Sequence, residues 1–494
     1  MTQPQRRLAR HRRPGILALV IVFLVAGVGG SWVLWRRQQS GQASTIPAEQ
    51  SSNVSAPWPT PSARGTPGPG EHRFVTSVSA DGRHFRDQYG DPILVHGDSP
   101  WSLMTDLSPA QAELYFRNRR GHGFNAAIIS LVGAEANGGP ADDGTTFDGL
   151  APFVDGDVTA WQEPYWDRMA RYLTLAADNG ITVFLYPIDG WTIGHAFQPR
   201  TIEQCLTYGS MVAERFRELP NIVWMSGGDY FPEADEPALG SDVDRCIDAM
   251  MRGIRSAGDG RPFSIQLGYP KSISTDNPYW ADRVSWNFVY TYLPTYRAVL
   301  EAYARTPAIP AIFAEGNYER ENNDPDTADT TDLTLRRQIL WALTSGAAGT
   351  FYGSDDWEFH AGWEDRLDTP AVAQLDRLSG LFDSMPWWRL VPDTTRTLVT
   401  GGRGTEVTDD TRMDVLDNDF VTAARSPDGT LAVVYLPTAQ IITLDPTVLA
   451  PGARAVWVDP VDGTRRAVPL AGPLSTPGPN ADGDDDWLLL ITAS

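Results

Sequence analysis

The stretch EPYWDRMARYLTLAADNGITVFLYPI, residues 163–188, decides the fold of this 494-residue chain. Residues 163–179 have the pattern of an amphipathic helix, and the run that follows at 181–188 is apolar and rich in β-forming residues. A strand that stays apolar, without alternating polar residues, is typical of a strand covered on both faces, as in a parallel sheet. The stretch therefore predicts one helix and one strand of an α/β protein.

The same alternation of strand and helix recurs along most of the chain. Eight strand–helix units over about 290 residues are typical of a (β/α)8 barrel. An open doubly wound sheet is the alternative, but no glycine-rich phosphate loop follows the first strand candidate. Only the connection at 269–283 is weak as a helix. The strand candidates are 93–98, 125–131, 181–188, 222–227, 262–268, 284–290, 311–316 and 347–353, and helical patterns start at Ser108 and cover 163–179, 201–218, 241–257, 295–305, 331–345 and 371–384.

The pattern changes after VPD (391–393). Apolar runs such as GTLAVVYLP (429–437) and WLLLI (487–491) are separated by Pro-Asp-Gly, Asp-Pro and Asp-Gly turns, without helical patterns between them. Such turns are typical of β-hairpins. We therefore predict a barrel domain at 73–391 and a small all-β sandwich at 392–494.

The N-terminal segment has the features of a membrane anchor. Residues 15–35 carry no charge and are long enough to cross a bilayer as a helix, with five arginines before them and two after. A cleaved signal peptide is the rival interpretation, but its apolar region would be shorter and we find no A-x-A-like cleavage site. We predict a basic cytoplasmic tail at 1–14, one transmembrane helix at 15–35 and a disordered Ser- and Pro-rich stalk at 36–72. The rest of the chain would then lie outside the cytoplasm, at the cell membrane.

The charge of the chain is strongly negative and unevenly distributed. The formal net charge is -22, and seven of the 40 basic residues are arginines within the first 37 residues, so the remainder carries 33 basic against 62 acidic side chains. A body this acidic repels polyphosphate, so we do not expect nucleic acid as a partner. The ordinary explanation of such acidity is solubility.

The two cysteines and the few histidines do not indicate a metal centre. Cys205 and Cys246 are 41 residues apart, and in an oxidising compartment they form either a disulfide or two separate buried thiols. No H-x-x-x-H or H-E-x-x-H pattern occurs, and the acidic loop around Asp324 lacks the glycine and closing glutamate of a calcium loop. We expect no metal and no other cofactor.

Carboxylates and large aromatic residues follow the predicted strands. The active site of a (β/α)8 barrel lies where its strands end, so these side chains should share one rim. Carboxylates bind hydroxyl groups and flat rings stack on sugar faces, which suits a polyol ligand. The residues that we expect around this ligand are Asp98, Trp101, Asp189, Trp191, Tyr290, Tyr292, Asn317, Asp356 and Trp357.

Two further carboxylates, Asp229 and Glu315, end the fourth and the seventh strand candidates. Glycoside hydrolysis needs one carboxyl group that protonates the departing oxygen and a second that attacks or activates water. In many retaining glycosidases with this architecture the fourth-strand residue is the acid/base and the seventh-strand residue the nucleophile. Each position also has a structural explanation, since Asp229 could cap a loop and Glu315 could pair with an arginine of the rim.

An ordered set of motifs resembles the apiosidase-like glycoside hydrolase family over about residues 74–494. This resemblance implies that Asp229 is the acid/base, that Glu315 is the nucleophile, and that Asp98 and Trp101 contact substrate. It also implies a C-terminal β domain that is sometimes labelled collagen-binding, although nothing in the sequence of that domain indicates collagen. The motifs are GDSPWSLM (97–104), GFNAAIISLVG (123–133), YWDRMARYLTLAADNGITVFLYP (165–187), NIVWMSGGDY (221–230), PAIFAEGNYE (310–319), RRQILWALTSGAAGTFYGSDDWEF (336–359) and WWRLVPD (387–393).

The sequence departs from the family pattern around the expected pocket. Where relatives often have Thr-Tyr-His-Pro after the fifth strand, this chain has LGYP (267–270), and VYTYLP (289–294) replaces a Gln-Ser-Gly-His stretch after the sixth. The eighth-strand Tyr-Gly-His motif appears as Tyr-Gly-Ser at 352–354. These changes leave the two carboxylates in place, so they predict hydrolysis without indicating apiose or any other particular sugar.

The leading hypothesis is a retaining, exo-acting glycosidase of an extracellular or cell-envelope glycan. A surface protein that binds glycans without turnover is one alternative, since a fold does not guarantee activity. A transglycosidase that remodels the cell envelope is another, with an acceptor hydroxyl in place of water.

Overall fold

A computed structural model describes residues 71–230, 240–268, 271–321, 329–407 and 414–493, all of which belong to one compact unit. The predicted cytoplasmic tail, transmembrane helix (15–35) and stalk lie outside these residues, apart from residues 71 and 72 of the stalk. Within the described ranges, no helix is both long and apolar enough to cross a bilayer. The membrane anchor therefore stays a prediction.

Eight parallel strands form the wall of a barrel, as the alternation of apolar runs predicts. Their order in the sheet follows the chain, because each strand pairs with the one that precedes or follows it and the last pairs with the first. Most of their residues are buried, which explains why the runs lack polar alternation. The strands are β4 (Val95–Asp98), β5 (Ala126–Ser130), β8 (Thr182–Tyr186), β9 (Ile222–Tyr230), β10 (Phe263–Leu267), β12 (Asn287–Thr291), β13 (Ala311–Glu315) and β14 (Gly349–Tyr352).

Backbone hydrogen bonds do not pair β10 with β12, and serine side chains bridge the gap between these two strands instead. The Ser264 hydroxyl donates to the carbonyl of Trp286, and the Ser274 hydroxyl joins the carbonyl of Ile265 to the amide of Phe288. The connection that is weak as a helix contains instead a short antiparallel strand on β12, named β11 (Lys271–Ile273), and a single 3-10 turn. The barrel thus lacks one of its eight outer helices.

The helices lie where the sequence patterns predict them, and side-chain caps set several of their starts. Ser108, Thr201 and Ser241 each accept a hydrogen bond from the backbone three residues on, in a capping box. The helices are α1 (Leu103–Asp106), α2 (Pro109–Gly121), α3 (Glu163–Asp178), α4 (Ile202–Arg215), α5 (Asp242–Ser256), α6 (Tyr296–Ala304), α7 (Asp332–Thr344) and α8 (Pro370–Asp383).

A small antiparallel sheet closes the barrel at the starts of its strands. Val75 of this sheet donates its amide to the hydroxyl of Thr182, the first residue of β8. Phe85 lies edge-on to Phe184 and Trp286, with ring centroids 6.3 and 5.8 Å away. The open end of the barrel is therefore the one where the strands finish. The sheet comprises β1 (Val75–Val78), β2 (Phe85–Asp87) and β3 (Pro92–Ile93), and a hairpin after β5 comprises β6 (Phe153–Val154) and β7 (Asp157–Trp161).

The C-terminal region contains two antiparallel sheets, as its hairpin turns predict. Successive residues of the six-stranded sheet face in opposite directions, so that Val434 and Leu489 pack toward the small sheet and Val433 and Leu490 toward the barrel. Burial on both faces explains the unbroken apolar runs. The large sheet has β15 (Val391–Pro392), β17 (Thr422–Arg425), β18 (Leu431–Leu436), β23 (Trp487–Thr492), β20 (Arg454–Val458) and β21 (Arg465–Val468), and the small sheet β16 (Val399–Gly401), β19 (Ile441–Leu444) and β22 (Leu474–Ser475).

Two contacts tie these elements together. Arg336 of α7 is fully buried and forms an ion pair with Asp486, which joins the barrel to the large C-terminal sheet. Cys205 of α4 and Cys246 of α5 form a disulfide, with their Cα atoms 5.4 Å apart, so the structure contains the bonded alternative.

Candidate active site

Asp229 stands on a two-residue bulge at the end of the fourth barrel strand. Gln266 of β10 pairs with Gly227, but the next residue of β10 pairs with Tyr230, so Gly228 and Asp229 are extra in β9. Gly227, Gly228 and Asp229 all have positive φ, at 94°, 94° and 47°. This left-handed region is uncommon for a residue other than glycine, and such strain collects at functional sites.

Glu315 ends the seventh strand, and its side chain is only 8% exposed. It lies beside Tyr290 in the register of β12 and β13. The amide nitrogen of Gln266, Nε2, donates to Glu315 Oε2 over 2.6 Å. The structure thus brings together residues from the fourth, fifth, sixth and seventh strands at the open end of the barrel.

Burial raises the pKa of both carboxyl groups. It raises the pKa of Asp229 from 3.8 to about 7 and that of Glu315 well above its usual value. The charge of Asp229 raises the pKa of Glu315 further, since two neighbouring carboxylates repel each other. Donation from Tyr290 to both groups, and from Gln266 to Glu315, lowers the pKa in the opposite direction. The two groups therefore titrate as a pair.

Tyrosine and tryptophan side chains surround this pair. The hydroxyls of Tyr290 and Tyr292 are 2.8 Å apart, and burial raises the pKa of both well above 10, so they remain protonated donors. Trp101 donates to the hydroxyl of Tyr318 over 2.7 Å and lies edge-on to Trp191. The structure therefore places these four predicted residues, Tyr290, Tyr292, Trp101 and Trp191, in or beside one aromatic layer around Asp229 and Glu315.

The structure places Asp98 in a buried ion pair behind the end of the first barrel strand. Its carboxylate accepts from Tyr115 and from the guanidinium of Arg119, both on α2, and is buried. Its neighbour Gly97 instead faces the barrel interior, where an added Cβ would overlap the ring of Phe351. Because strand residues alternate between faces, Asp98 points into the layer between barrel and helices. This ion pair gives Asp98 a structural role, and its contact with substrate stays a prediction.

Asp189 is likewise a structural residue, although it follows the third strand as predicted. It is fully buried, and its carboxylate accepts from Ser130, Asn137 and the backbone amides of Trp191 and Thr192. All of these donors belong to the protein, and the contact of Asp189 with substrate stays a prediction. Asp189 instead fixes the loop that holds Trp191 against Gly228.

The remaining predicted residues support the rim in different ways. Asp356 accepts from Arg320 over 2.7 Å and from Arg366, so its charge is neutralised within the protein. Asn317 donates to the backbone carbonyl of Tyr292 over 3.1 Å. Trp357 is partly exposed, and its Nε1 donates to Glu321 over 2.6 Å. All three residues remain partly exposed.

Three residues that the sequence did not single out also belong to the site. Gln266 bonds to Glu315, and Tyr186 donates its hydroxyl to Gln266 Oε1 over 2.9 Å. Glu321 is half-buried and close enough to raise the pKa of Glu315 through its charge. Gln266 and Tyr186 are polar residues near the ends of the fifth and third strands, so the rule that identified Asp229 and Glu315 could have included them.

The charge around the open end is negative. Each lysine or arginine described in the loops that follow the barrel strands is engaged by a carboxylate or by backbone carbonyls, and none is left to receive an anion. No group of three or more His, Cys, Asp or Glu side chains in the described ranges is arranged to hold a metal ion. The cations are Arg200, Lys271, Arg283, Arg320 and Arg366.

A (β/α)8 barrel with two buried carboxyl groups at the ends of its fourth and seventh strands has the architecture of a glycoside hydrolase. Residues 79–389 match the sequence profile of the family described as "Apiosidase-like, catalytic domain", and the chain belongs to this family. It is therefore a glycosidase with a carbohydrate substrate.

Solved structures show the same fold. A glycoside hydrolase family 5 protein from Bacteroides vulgatus ATCC 8482 is 21% identical, with a TM-score of 0.71, over 85% of this chain and 93% of that one. A second structure, named only as a glycoside hydrolase, is 20% identical with the same TM-score, over 85% of this chain and 97% of that one. Among curated proteins, none matches the chain.

Proposed function

We propose that the protein is a retaining, exo-acting glycosidase in which Asp229 is the acid/base and Glu315 the nucleophile. The observation that carries this assignment is the unequal hydrogen bonding of the two carboxyls. Glu315 receives the amide of Gln266 in addition to Tyr290, whereas Asp229 Oδ1 is buried and has no partner among the described residues. Donors stabilise a carboxylate anion, so the additional bond from Gln266 favours the ionised form of Glu315, which is the form that attacks.

The chemistry follows from this distribution of charge. Asp229 donates its proton to the glycosidic oxygen as the bond to the anomeric carbon breaks, and Glu315 bonds to that carbon from the opposite face. Asp229, now ionised, then removes a proton from the water that releases the sugar. A pKa of about 7 suits a group that must give up and regain a proton in one cycle.

The exo mode is supported by the enclosure of the nucleophile. Glu315 is 8% exposed and has Tyr290, Tyr292 and Tyr318 around it. The end of a glycan enters such a site more easily than the middle of a long chain. Products from a reduced oligosaccharide would decide the matter, since exo-action releases monosaccharide from the first turnover.

The location proposed for the enzyme is the outer side of the cell membrane. The disulfide between α4 and α5 supports an oxidising compartment, and the sequence of residues 15–35 supports an anchor. A protease added to intact cells should cleave the enzyme. Complete protection in intact cells, with cleavage after lysis, would contradict this location.

Replacement of Glu315 by Gln tests the assignment directly. With the full-length protein and a panel of 4-nitrophenyl furanosides and pyranosides, the variant should lose turnover of every glycoside that the wild type cleaves. The matched control is Glu218→Gln, at an exposed position on the surface. Near-normal activity of Glu315→Gln would contradict the assignment. Proton NMR of the first-formed anomer would separate retention from inversion.

A further inference from the structure

Gln266 occupies a position between the two catalytic strands. It lies at the end of the fifth barrel strand and is fully buried. Its backbone is so close to β9 that a Cβ on Gly227 would lie 2.0 Å from the Gln266 carbonyl oxygen. Its side chain reaches the seventh strand, where Nε2 donates to Glu315 Oε2 over 2.6 Å.

A second contact fixes which end of the amide faces Glu315. The hydroxyl of Tyr186 donates to Gln266 Oε1 over 2.9 Å, and Tyr186 is itself fully buried and packed edge-on against Trp101 at 5.1 Å. With the amide oxygen occupied by this donor, the amide nitrogen is directed at the carboxylate. An amide nitrogen has hydrogens to donate and cannot accept, so it can bond only to an oxygen that accepts.

We propose that Gln266 is a positioning residue that holds Glu315 in its ionised, attacking form, and that Tyr186 sets the orientation of the Gln266 amide. This inference rests on the role of Glu315 proposed above. Without the amide, one carboxylate oxygen of Glu315 would lose its donor in a buried site that also holds Asp229. Glu315 would then take up a proton more readily, and a protonated carboxyl cannot attack.

The alternative is that Gln266 only satisfies buried polar atoms. Both explanations predict some loss of stability when the side chain is changed. They differ in the protonation of Glu315, which a merely structural residue would leave unchanged. The test therefore follows a titration and not an amount of folded protein.

Gln266→Met removes the amide while keeping a flexible side chain of similar length. In the full-length protein labelled with 13C at glutamate carboxyl carbons, the Glu315 signal is the one absent from Glu315→Gln. Because a hydrogen bond to a charged group is lost, we expect the pKa of Glu315 to rise by about 1 to 2 in Gln266→Met. Tyr186→Phe should raise it in the same direction by less, and the double variant should equal Gln266→Met alone.

Activity gives a second measurement of the same effect. On a 4-nitrophenyl glycoside that the wild type cleaves, the acidic limb of the kcat/KM profile should move to higher pH. Relative to the wild type, kcat/KM should fall about 10- to 100-fold at pH values on the acidic side of that limb, and less at higher pH. Gln440→Met and Tyr435→Phe, both in the C-terminal region, are matched controls and should leave the profile unchanged.

An unchanged Glu315 titration in both Gln266→Met and Tyr186→Phe would overturn the inference. The proposed function would survive that result as long as Glu315→Gln is inactive. An active Glu315→Gln would instead overturn the proposed function itself. If Gln266→Met fails to fold, Tyr186→Phe still decides the matter, since it removes only the hydroxyl that orients the amide.

Discussion

Replacement of Asp229 by Asn should abolish the alkaline limb of the pH profile. Burial raises the pKa of this carboxyl from 3.8 to about 7, and only its protonated form can serve as the acid. In the wild type kcat/KM should therefore fall about tenfold for each pH unit above about 7. In Asp229→Asn no group remains to lose that proton, so the residual activity should be flat across the same range.

The size of the loss should depend on the leaving group. A sugar or alkyl alcohol needs a proton to depart, and loss of a general acid then costs about 100- to 10,000-fold. A 2,4-dinitrophenolate departs without a proton, so its glycoside should lose far less in the first step. Asp155→Asn is the control, because Asp155 is exposed and has the same left-handed backbone as Asp229, with φ values of 50° and 47°.

Although Asp229→Asn should lose activity, it should be more stable than the wild type at alkaline pH. The folded-state pKa of Asp229 lies above 3.8, so its contribution to stability is fully present below pH 3.8 and is lost as the pH rises through about 7. That shift corresponds to at most about 4 kcal/mol. Urea unfolding at pH 8.5 should therefore show Asp229→Asn to be more stable than the wild type. An alkaline limb that persists in this variant, with equal losses on both leaving groups, would refute the assignment of Asp229 as the buried acid.

Three further results are expected. Replacement of Cys205 and Cys246 by Ala opens a loop with a sequence separation of 41 and should lower the free energy of unfolding by about 4 kcal/mol in the absence of reductant, as measured with urea. Gly228→Ala would put a Cβ 2.6 Å from the Trp191 ring and should reduce kcat/KM, whereas Gly452→Ala, at a glycine with similar φ and open space around it, should not. The described cations of the rim all contact carboxylates or backbone carbonyls, so a 4-nitrophenyl uronide should react more slowly than the matching neutral pyranoside. Added salt should reduce the difference between the two rates.

The barrel was predictable because its strands differ from those of most sheets. Because these strands are covered on both faces, their sequences are unbroken apolar runs. The helices between them begin at recognisable capping residues, such as Ser108, Thr201 and Ser241. The exception at 269–283 was visible as a missing helical pattern. The sequence could not show what replaces that helix, since Ser264 and Ser274 bridge the gap through contacts that depend on the fold.

The sequence predicted which strand ends contribute residues to the candidate site, but not whether each side chain faces the opening or the surrounding helices. A residue near the end of a barrel strand can face the opening or the helices, and one step along the strand exchanges the two. Asp98 lies one step from Gly97 and pairs with Arg119. Asp189 accepts from its own loop and from the end of β5 and the loop that follows it. Asp229 departs from this alternation because β9 contains two extra residues, and the sequence sign of that bulge is the pair Gly227 and Gly228 before it.

The side chains beside the carboxyl pair simplify its acid–base chemistry. Its described neighbours include Gln266, Tyr290 and Tyr292. Glutamine does not titrate, and burial raises the pKa of both tyrosines well above 10. The described groups of the site whose pKa burial raises from the acidic range are carboxyls, and they include Glu321 beside Asp229 and Glu315. A bell-shaped profile would therefore report the carboxyls of the site, with Asp229 and Glu315 titrating as a pair.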